Sequence, residues 1–330
     1  EKNNENSISF IEIYNIQNLD EKSSNNEPIL APSISHHIFD SSKKYSYDIK
    51  FKAHSIYNDE GYDIKRWSGF GKINKKLDLT NISLEAETNI GLDLYSIQGR
   101  PSSDTNDNRY VDRISSGFSV AASNQYGFVN DVSHFIIEPK IQFNSVFSSD
   151  RTEEIPNRDS SEFKLDQSNL FLNNQYQGRD NIQKNDRINV GITSLIMTEN
   201  LGDLSFFIGQ SQKVSGTQKN LTMPNEDRQS HIVNSIDWVL SEKLKFSWFS
   251  LNDHHNLKSD TSEFSFSGIF EGWNYVANHR SVDGGFISNN VDREELKLEL
   301  SKNFSNLKTS YSRTYDLNDN KEELVSENLG

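Results

Sequence analysis

Histidine pairs are the first residues in this sequence whose type and spacing could do chemistry, because imidazole can ligate a metal ion or act as a general base. One pair is His36-His37, and a second pair follows an aspartate in the run Asp253-His254-His255. Consecutive residues of a β-strand point to opposite faces, so neighbouring histidines do not converge on one ion. The sequence contains no cysteine that could add a thiolate ligand. We therefore predict neither a metal site nor a cofactor.

Serine and histidine could also act together as a nucleophile and its base, as they do in outer-membrane lipid hydrolases. Such a site needs the two side chains at hydrogen-bond distance and a third group that orients the histidine. No motif links the serines to the histidines along this chain. We therefore predict no catalytic residue and no enzymatic activity. The alternative is a barrel lipid hydrolase, which would require a serine and a histidine at hydrogen-bond distance in the folded chain.

The composition is too polar for an ordinary soluble domain and too aromatic for a disordered one. Hydrophobic residues make up 33% of the chain, the mean hydropathy is −0.73, and the sequence contains 20 Phe and 12 Tyr. A β-barrel in a membrane explains both facts, because its lumen is polar and only alternate residues face lipid. No apolar run approaches the roughly 18 residues that a membrane-spanning helix needs. The net charge of −14 argues against a nucleic-acid partner.

Alternation of apolar and polar residues with a period of two is the dominant pattern, and it predicts strands with two different faces. In the segment 82–94, for example, apolar residues lie at even positions and mostly polar ones at odd positions. The residues predicted to face outward toward lipid are Leu84, Ile90, Leu92, Phe246, Leu296 and Leu298. Those predicted to face inward are Glu85, Glu87, Lys245, Lys297 and Glu299.

The connections between these segments alternate between long and short. The long polar connections are predicted at 15–27, 58–66, 98–110, 148–185, 215–228, 255–262 and 282–290. The short ones are predicted at 40–43, 76–80, 199–202, 241–242, 271–272 and 303–306. Outer-membrane barrels have short periplasmic turns and longer extracellular loops. The predicted fold class is therefore all-β, an antiparallel transmembrane outer-membrane β-barrel. It is a partial barrel of about 14–16 strands, not closed within this chain.

The final predicted strand covers residues 307–315, and we interpret the acidic residues after it as a tail outside the sheet.

An ordered series of motifs covers the segment 137–210. It consists of IEPKIQF at 137–143, IPNRDS at 155–160, FKLDQSNLF at 163–171, YQGRDNI at 176–182, RINVG at 187–191 and IGQ at 208–210. This series resembles the barrel region of the lipopolysaccharide-assembly family (LptD, also called OstA or Imp). The segment LAPSISHH at 30–37 is similar to an earlier strand of that family. One departure is Asn181, which follows Asp180 where the family usually has arginine.

The resemblance implies that residues 1–330 are a C-terminal β-barrel segment of a protein in the Gram-negative outer membrane. The family's N-terminal jelly-roll domain and the terminal seam strands would lie outside this chain. The implied function is insertion of lipopolysaccharide into the outer leaflet, without covalent chemistry. The implied partners are lipopolysaccharide, outer-membrane lipid, an LptE-like plug lipoprotein, and the periplasmic Lpt bridge, reached through the N-terminal domain. A porin-like or specific-solute channel, a barrel lipid hydrolase and a soluble β-sandwich are the alternatives.

The connection 148–185 is the longest, and we predict that it folds against the lumen and helps to control passage of lipopolysaccharide. Its candidate residues are Pro156, Asp159, Ser160, Asp166, Asn169, Leu170, Phe171, Gly178 and Asp180. Four more lie in the strands that follow, at Arg187, Gly191, Gly209 and Gln210. The competing interpretation is that these residues only hold the loop, since Asp, Asn and Gly are common turn formers. Carboxylates at Glu153, Glu154, Asp159 and Asp166 could also bind divalent cations.

Overall fold

Nearly every segment with alternating polarity is a β-strand in the computed structural model. The model describes residues 6–15, 29–41, 45–57, 62–99, 108–149, 151, 154–157, 159–162, 164–216, 228–284, 292–304, 307–318 and 323–329. Within these residues there is no helix long and apolar enough to cross a membrane.

The first eight strands are β1 (Asn6–Asn15), β2 (Ile29–Ser41), β3 (Tyr45–Tyr57), β4 (Tyr62–Asp78), β5 (Ser83–Gly99), β6 (Arg109–Ser123), β7 (Tyr126–Val129) and β8 (Ser133–Ser148). Two short strands follow, β9 (Ser161–Glu162) and β10 (Tyr176–Gln177). The remaining strands are β11 (Asn185–Thr198), β12 (Gly202–Gly216), β13 (Ile232–Ser241), β14 (Leu244–Asn252), β15 (Ser259–Phe270), β16 (Trp273–Val282), β17 (Arg293–Phe304), β18 (Leu307–Asp316) and β19 (Glu323–Leu329).

One antiparallel sheet contains all of these strands except the β9–β10 pair. The strands pair in chain order, except that β6 and β7 both pair with β8, and β8 pairs directly with β11 across the longest connection. Among the described residues no pairing is found between β19 and β1, so the sheet is open there. This antiparallel, unclosed sheet confirms the predicted fold class.

A single proline explains why β6 and β7 are separate. Ser123 pairs with Lys140 and Tyr126 pairs with Ile137, so both strands share one register on β8. The interruption faces Pro139, which has no N–H to donate to the strand beside it. With β6 and β7 counted as one strand, the large sheet of 17 strands has sixteen, at the upper end of the predicted range.

The polarity of the two faces is the reverse of that in a soluble protein. Along β5, Ile90 and Leu92 are 62% and 47% exposed on one face, whereas Asp93 on the other face is fully buried. We call the face that carries the buried side chains the inner face. Its buried polar residues include Ser68, Ser115, Ser119, Gln142, Asn144, Asn189 and Ser211. An apolar outer face and a polar inner face fit a barrel surrounded by lipid.

The predicted facing of the strand residues is confirmed. Leu84 shares the face of Ile90, and Glu85 shares that of Asp93, because side chains alternate along β5. In β14, Leu251 packs in an inner cluster, which places Lys245 inward and Phe246 outward. Cross-strand partners lie on the same face, so the facing of β14 residues fixes that of β17 residues through the pairings of β14 with β15, β15 with β16 and β16 with β17. By these pairings Leu296 and Leu298 face outward, and Lys297 and Glu299 face inward.

Spin labels at Leu84 and Glu85 in the full-length protein should report opposite environments. We expect a lipid-soluble quencher to reach the label at Leu84 and a water-soluble quencher to reach the label at Glu85. The reason is that a charged side chain on the lipid face is destabilising near the membrane midplane, by about 2–4 kcal/mol for lysine or arginine and by less for glutamate. Equal access of the lipid-soluble quencher to both labels would contradict the assignment.

Several predicted boundaries are wrong, among them the connection predicted at 255–262, which lies at 253–258. The connection predicted at 58–66 contains only residues 58–61, since β4 already begins at Tyr62. The strand extends there because Ile64 is 1% exposed and pairs with Ile56 of β3 in an apolar cluster on the inner face. The acidic segment after 315 is also no simple tail, because β19 pairs with β18. Backbone pairing with a neighbouring edge forms this strand, whereas its polar composition gives little strand signal.

Candidate functional site

The connection between β8 and β11 folds onto the inner face of the sheet, and we call residues 149–184 the inner loop. The two-residue pair of β9 and β10 joins its two halves. Its described residues contact the inner face at an ionic anchor, a row of amide and carbonyl contacts, and an apolar anchor. The predicted placement of this connection against the interior therefore agrees with the structure.

The ionic anchor begins with residues of the sheet that lie directly opposite one another. Arg66 of β4 pairs with Tyr95 of β5, and Asp93 of β5 pairs with Arg113 of β6. Arg113 donates to Asp93 Oδ2 from Nε at 3.2 Å and from Nη2 at 2.8 Å, and both side chains are fully buried. The strands thus present a buried group of charges before the loop is considered.

The inner loop adds two carboxylates that bind this group. Arg66 donates from Nη1 to Asp180 Oδ1 at 2.8 Å and from Nη2 to Asp159 Oδ2 at 2.5 Å. The Tyr95 hydroxyl donates to Asp180 Oδ1 at 3.2 Å. Arg113 donates to the main-chain carbonyl of Asp180 at 2.7 Å. The loop backbone and side chains are therefore both fastened to β4, β5 and β6.

A third arginine completes the anchor from the side of the loop. Arg179 donates from Nε to Asp93 Oδ1 at 2.9 Å and from Nη2 to Asp93 Oδ2 at 3.0 Å. The anchor then holds three arginines and three aspartates with no net charge. Buried charges are tolerated when they are paired and hydrogen-bonded, and removing one partner is costly.

Asp159 shows how strongly the loop is held in this anchor. Burial alone would raise the pKa of Asp159, but the Arg66 guanidinium and the backbone N–H groups of Arg179 and Asp180 outweigh it. These groups hold the pKa of Asp159 well below its usual range. The carboxylate is therefore charged and already paired with Arg66. This occupation argues against the divalent-cation role that the sequence suggested for Asp159.

The other acidic residues of the loop also have partners. Glu154 accepts from Arg151, and Asp166 Oδ1 accepts from the N–H groups of Ser168 and Asn169. Glu153 lies outside the described residues. The cation hypothesis therefore has no support from the described acidic residues of this loop.

Gly178 is required by the way the two halves of the loop meet. Its φ is +79°, in the left-handed region that favours glycine. A Cβ at this position would collide with the main-chain oxygen of Asp159. The glycine thus lets the 178–180 turn approach closely enough for the N–H groups of Arg179 and Asp180 to reach Asp159 Oδ1 at 3.0 and 2.9 Å.

The apolar anchor is presented by a tight turn. The Asn169 side chain accepts from the N–H of Asp166 at 2.8 Å, and Leu170 N donates to the Asp166 carbonyl at 3.0 Å. This turn directs Leu170, which is fully buried, into an inner cluster that Phe171 borders. The other buried members of the cluster are Leu165, Phe207, Val233 and Leu251.

Two glycines of the sheet make room for this anchor. A Cβ at Gly209 would lie 2.5 Å from Leu170 Cδ2, and a Cβ at Gly191 would lie 3.1 Å from Phe171 Cζ. Real Cβ atoms essentially never come within 3.0 Å of another heavy atom, so a side chain at Gly209 would displace the loop. These glycines come from the RINVG and IGQ motifs, which explains why the motifs accompany the loop sequence.

Between the two anchors, polar side chains bind the carbonyl groups of the loop. Gln142 Nε2 donates to the Phe171 carbonyl at 2.9 Å, and Asn144 Nδ2 donates to the Asn173 carbonyl at 3.2 Å. The guanidinium of the buried Arg187 donates to the side-chain oxygen of Gln183 and to the carbonyl of Leu172. Backbone groups of the loop that would otherwise be buried without partners are satisfied in this way.

Eleven of the thirteen predicted site residues therefore belong to the inner loop's anchors, its turns or the surface that receives it. Among these, Ser160 supplies the Oγ that accepts from the N–H of Asn181 at 2.9 Å. Gln210 lies elsewhere, since its Nε2 donates to the Ser230 carbonyl at 2.9 Å. Pro156 is not a member of either anchor; it is next to Ile155, which packs in the apolar cluster on the inner face of β2 to β6.

The sequence analysis missed the residues of the sheet that receive the ionic anchor, which are Arg66, Asp93, Tyr95 and Arg113. Each follows the period-two pattern, so the inward facing of these residues was predictable. Their meeting depends on the strand register and on contacts 66 or more residues away along the chain, such as that of Tyr95 with Asp180. A charged residue at a mid-strand inward position, such as Asp93, was the available signal.

The histidine pairs do not form metal sites in the described structure. His36 lies 2.9 Å from Ser9 Oγ, whereas His37 pairs with Asp48 on the other face of β2. A different group brings His231, Asp253 and Asp260 together, with ligand atoms within 4.8 Å. His231 Nε2 and Asp260 Oδ2 are 2.6 Å apart, which is a hydrogen-bond distance. Two ligands of one tetrahedral zinc ion lie about 3.3 Å apart, so these two atoms are placed as hydrogen-bond partners and not as ligands of one zinc ion.

The Ser9–His36 contact lies on the outer face, where a barrel lipid hydrolase would need its nucleophile. A working dyad also needs a third group that orients the histidine. Within the described part of the chain, His36 makes no ion pair and its hydrogen-bond partner is Ser9. The contact is therefore an incomplete version of such a site.

Comparison with known proteins agrees with the motif series. The family model described as "LptD: LPS transport system D" matches residues 2–322. The chain belongs to this family. Membership places the chain in the outer membrane of a Gram-negative cell, and the family is one of lipopolysaccharide transport. The match covers the inner loop, both of its anchors and nearly all of the sheet.

The chain is also similar to solved structures of a transporter and of two receptors, each of which is longer than this chain. The copper transporter OprC is 13% identical with a TM-score of 0.41, and the match covers 91% of this chain and 54% of that one. The siderophore receptor PiuA from Acinetobacter baumannii is 11% identical with a TM-score of 0.44, covering 96% and 60%. The ferric preacinetobactin receptor BauA from the same organism is 8% identical with a TM-score of 0.44, covering 90% and 55%. No curated protein matched the sequence.

Proposed function

We propose that this LptD-family chain forms part of the wall of the passage by which lipopolysaccharide is inserted into the outer leaflet. We also propose that the inner loop narrows this passage. The observation that carries the proposal is the double anchoring of the loop on the inner face. The loop is fixed to β4–β6 by three arginines and to β11–β14 by an apolar cluster. A loop fastened at both sides divides the interior, whereas a solvated extracellular loop would leave it open.

The space that the loop leaves open on the side of β13 to β16 is lined by both polar and apolar side chains. A cavity of about 440 Å³ lies between the loop residues 166–168 and these strands. Its lining includes Ser168, Ser235, Ser247 and Asn278, side chains that can hydrogen-bond sugar hydroxyl groups. We assign the saccharide part of lipopolysaccharide to this route and the acyl chains to the apolar outer surface. An LptE-like plug lipoprotein and the periplasmic Lpt bridge are the partners that this function requires.

Deletion of residues 157–180 in the full-length protein tests the proposal. We expect the barrel to assemble and the amount of surface lipopolysaccharide to fall, because the deleted segment carries residues of both anchors and forms one wall of the proposed saccharide route. Assembly is measured by heat-modifiable migration and surface lipopolysaccharide by antibody labelling of intact cells. Normal assembly with normal export would reject the proposal, and failed assembly alone would assign the loop a structural role.

A point variant keeps the test informative if the deletion does not fold. Ser168→Trp adds bulk beside the cavity and leaves Asp159, Asp180 and Leu170 in place. We expect normal assembly with reduced export, and Ser168→Ala is the matched control that keeps the passage open. Equal export by both variants would place the route elsewhere.

A further inference from the structure

The end of the β6–β7 strand is exposed on one side and has no strand beside it. β5 pairs with β6 only as far as Ser83 and Ser123. β7 continues the same strand along β8, where Tyr126 pairs with Ile137 and Val129 with His134. In the described part of the chain, no strand pairs with the other edge of β7. Alternate backbone N–H and C=O groups of this segment therefore point toward open space.

This edge has one of the features by which proteins protect an open strand, because β7 is only four residues long, and it lacks the others. Natural edge strands are kept short or are blunted by lysine, by proline, by a bulge or by a covering segment. β7 has the sequence Tyr-Gly-Phe-Val, with neither a charge nor a proline. Phe128 is 62% exposed and Val129 is 72% exposed. Three of its four residues, Tyr126, Phe128 and Val129, are of types enriched in strands, and an uncharged edge of this kind can pair with another strand.

A cleft lies next to the edge and has room for an added strand. Its volume is about 640 Å³, and it lies between the turn at residues 79–82 and the β6–β7 junction. Its charged lining residues are Lys76, Asp78 and Glu138. The cleft is thus polar with a negative balance, whereas Tyr126 and Phe128 lie on the outer face beside it.

The location indicates the side from which a partner would come. The hairpin turn between β7 and β8 is one of the short connections, together with those at 199–201, 242–243 and 271–272. In outer-membrane barrels the short connections face the periplasm. The open edge and its cleft therefore lie at the periplasmic rim.

We propose that the β7 edge is a docking site for an extended strand of a periplasmic partner protein that alternates apolar residues with Lys or Arg. The added strand pairs with the backbone of residues 126–129, as in other cases of recognition by strand addition. Its basic side chains face the cleft with Asp78 and Glu138, and its apolar side chains lie beside Phe128. A second copy of this chain is disfavoured as the occupant, because pairing two such edges would bring the acidic clefts together.

The test uses a short fluorescein-labelled peptide that alternates lysine with valine, titrated into the full-length protein in detergent micelles. We expect saturable binding in fluorescence anisotropy, and weaker binding of a peptide that alternates glutamate with valine. The variant Phe128→Lys/Val129→Lys places charges on the edge and should weaken binding by about tenfold or more. Leu201→Lys changes an equally exposed residue in another short connection and should leave binding unchanged.

Three results would overturn the proposal. The lysine peptide could fail to bind saturably, or it could bind the edge variant and Leu201→Lys equally, which would indicate attraction to the net charge alone. Sedimentation could instead reveal a dimer that forms with rising concentration and that Phe128→Lys/Val129→Lys abolishes. That last result would assign the edge to a second copy of the chain.

Discussion

Asp93→Ala should lower the free energy of unfolding by about 3–5 kcal/mol, the usual cost of removing one partner of a buried ion pair. Asp93 is the carboxylate that pairs with the fully buried Arg113, and it also receives both donors of Arg179. Without it, the Arg113 charge stays buried without compensation. The inner loop also loses the two bonds from Arg179 to β5 and keeps the one between Asp180 and Tyr95. Urea unfolding of the full-length protein in micelles, followed by tryptophan fluorescence, measures the loss.

Asp112→Ala is the matched control, because Asp112 is the neighbour of Arg113 in β6. Asp112 pairs with Arg151, but its side chain is 64% exposed, and water screens an exposed ion pair so that its loss should change stability little. Limited proteolysis should separate the two variants as well, with faster cleavage inside the inner loop of Asp93→Ala. Equal stability of the two variants would show that the ionic anchor contributes little.

A double variant shows whether the Asp93–Arg113 ion pair stabilises the fold or only offsets the cost of burying two charges. Arg113→Met together with Asp93→Leu removes both buried charges and leaves Arg179, which is 23% exposed, able to reach water. Replacing a buried ion pair with apolar residues is often close to neutral. We therefore expect the double variant to be more stable than Asp93→Ala, while its inner loop is cleaved faster than in the parent.

The sequence predicted the features that residues close together in the chain determine, and it missed those that depend on residues far apart in the chain. The facing of Leu84 and Glu85 follows from local alternation, and it was predicted correctly. The boundary of β4 was missed, because Ile64 is fixed by packing against other strands. β19 was missed for a similar reason, since its pairing with β18 outweighs its polar composition. Local pattern therefore gave the fold class, whereas pairing partners decided the strand ends.

The candidate site divides in the same way. The inner loop and its glycines were found through the family motifs, which lie close together in the sequence. Arg66 and Arg113 were not found, because each is an isolated charge in an ordinary strand until the register brings Tyr95 and Asp93 opposite to it. The cross-strand register and the return of the loop to β4–β6 are tertiary features. The two-residue alternation of a single sequence does not indicate which strands pair or in which register, so it does not predict these tertiary features.

Gly209→Val should detach the apolar anchor and leave the ionic one in place. A Cβ at this position would lie 2.5 Å from Leu170 Cδ2, 2.7 Å from Phe207 Cζ and 3.0 Å from the Val190 carbonyl oxygen. Leu170 is fully buried and cannot move aside without leaving the cluster. Overpacking of this kind usually costs about 1–3 kcal/mol, and the additional methyl groups of valine favour the upper part of that range. We expect this loss in urea unfolding, with proteolysis confined to the part of the inner loop around residues 165–172.

Gly71→Val is the matched control, because a Cβ at Gly71 would make only an ordinary contact at 3.9 Å with Ile90. It should leave the cleavage of the loop unchanged. The combination Gly209→Ala/Leu170→Ala then tests the cause directly. If the contact with Leu170 is the origin of the strain, the two substitutions together should destabilise the protein by less than the sum of the single effects. Strict additivity would assign the strain to Phe207 and the backbone of β11 instead. The loop would then rest on the arginine–aspartate anchor rather than on Leu170.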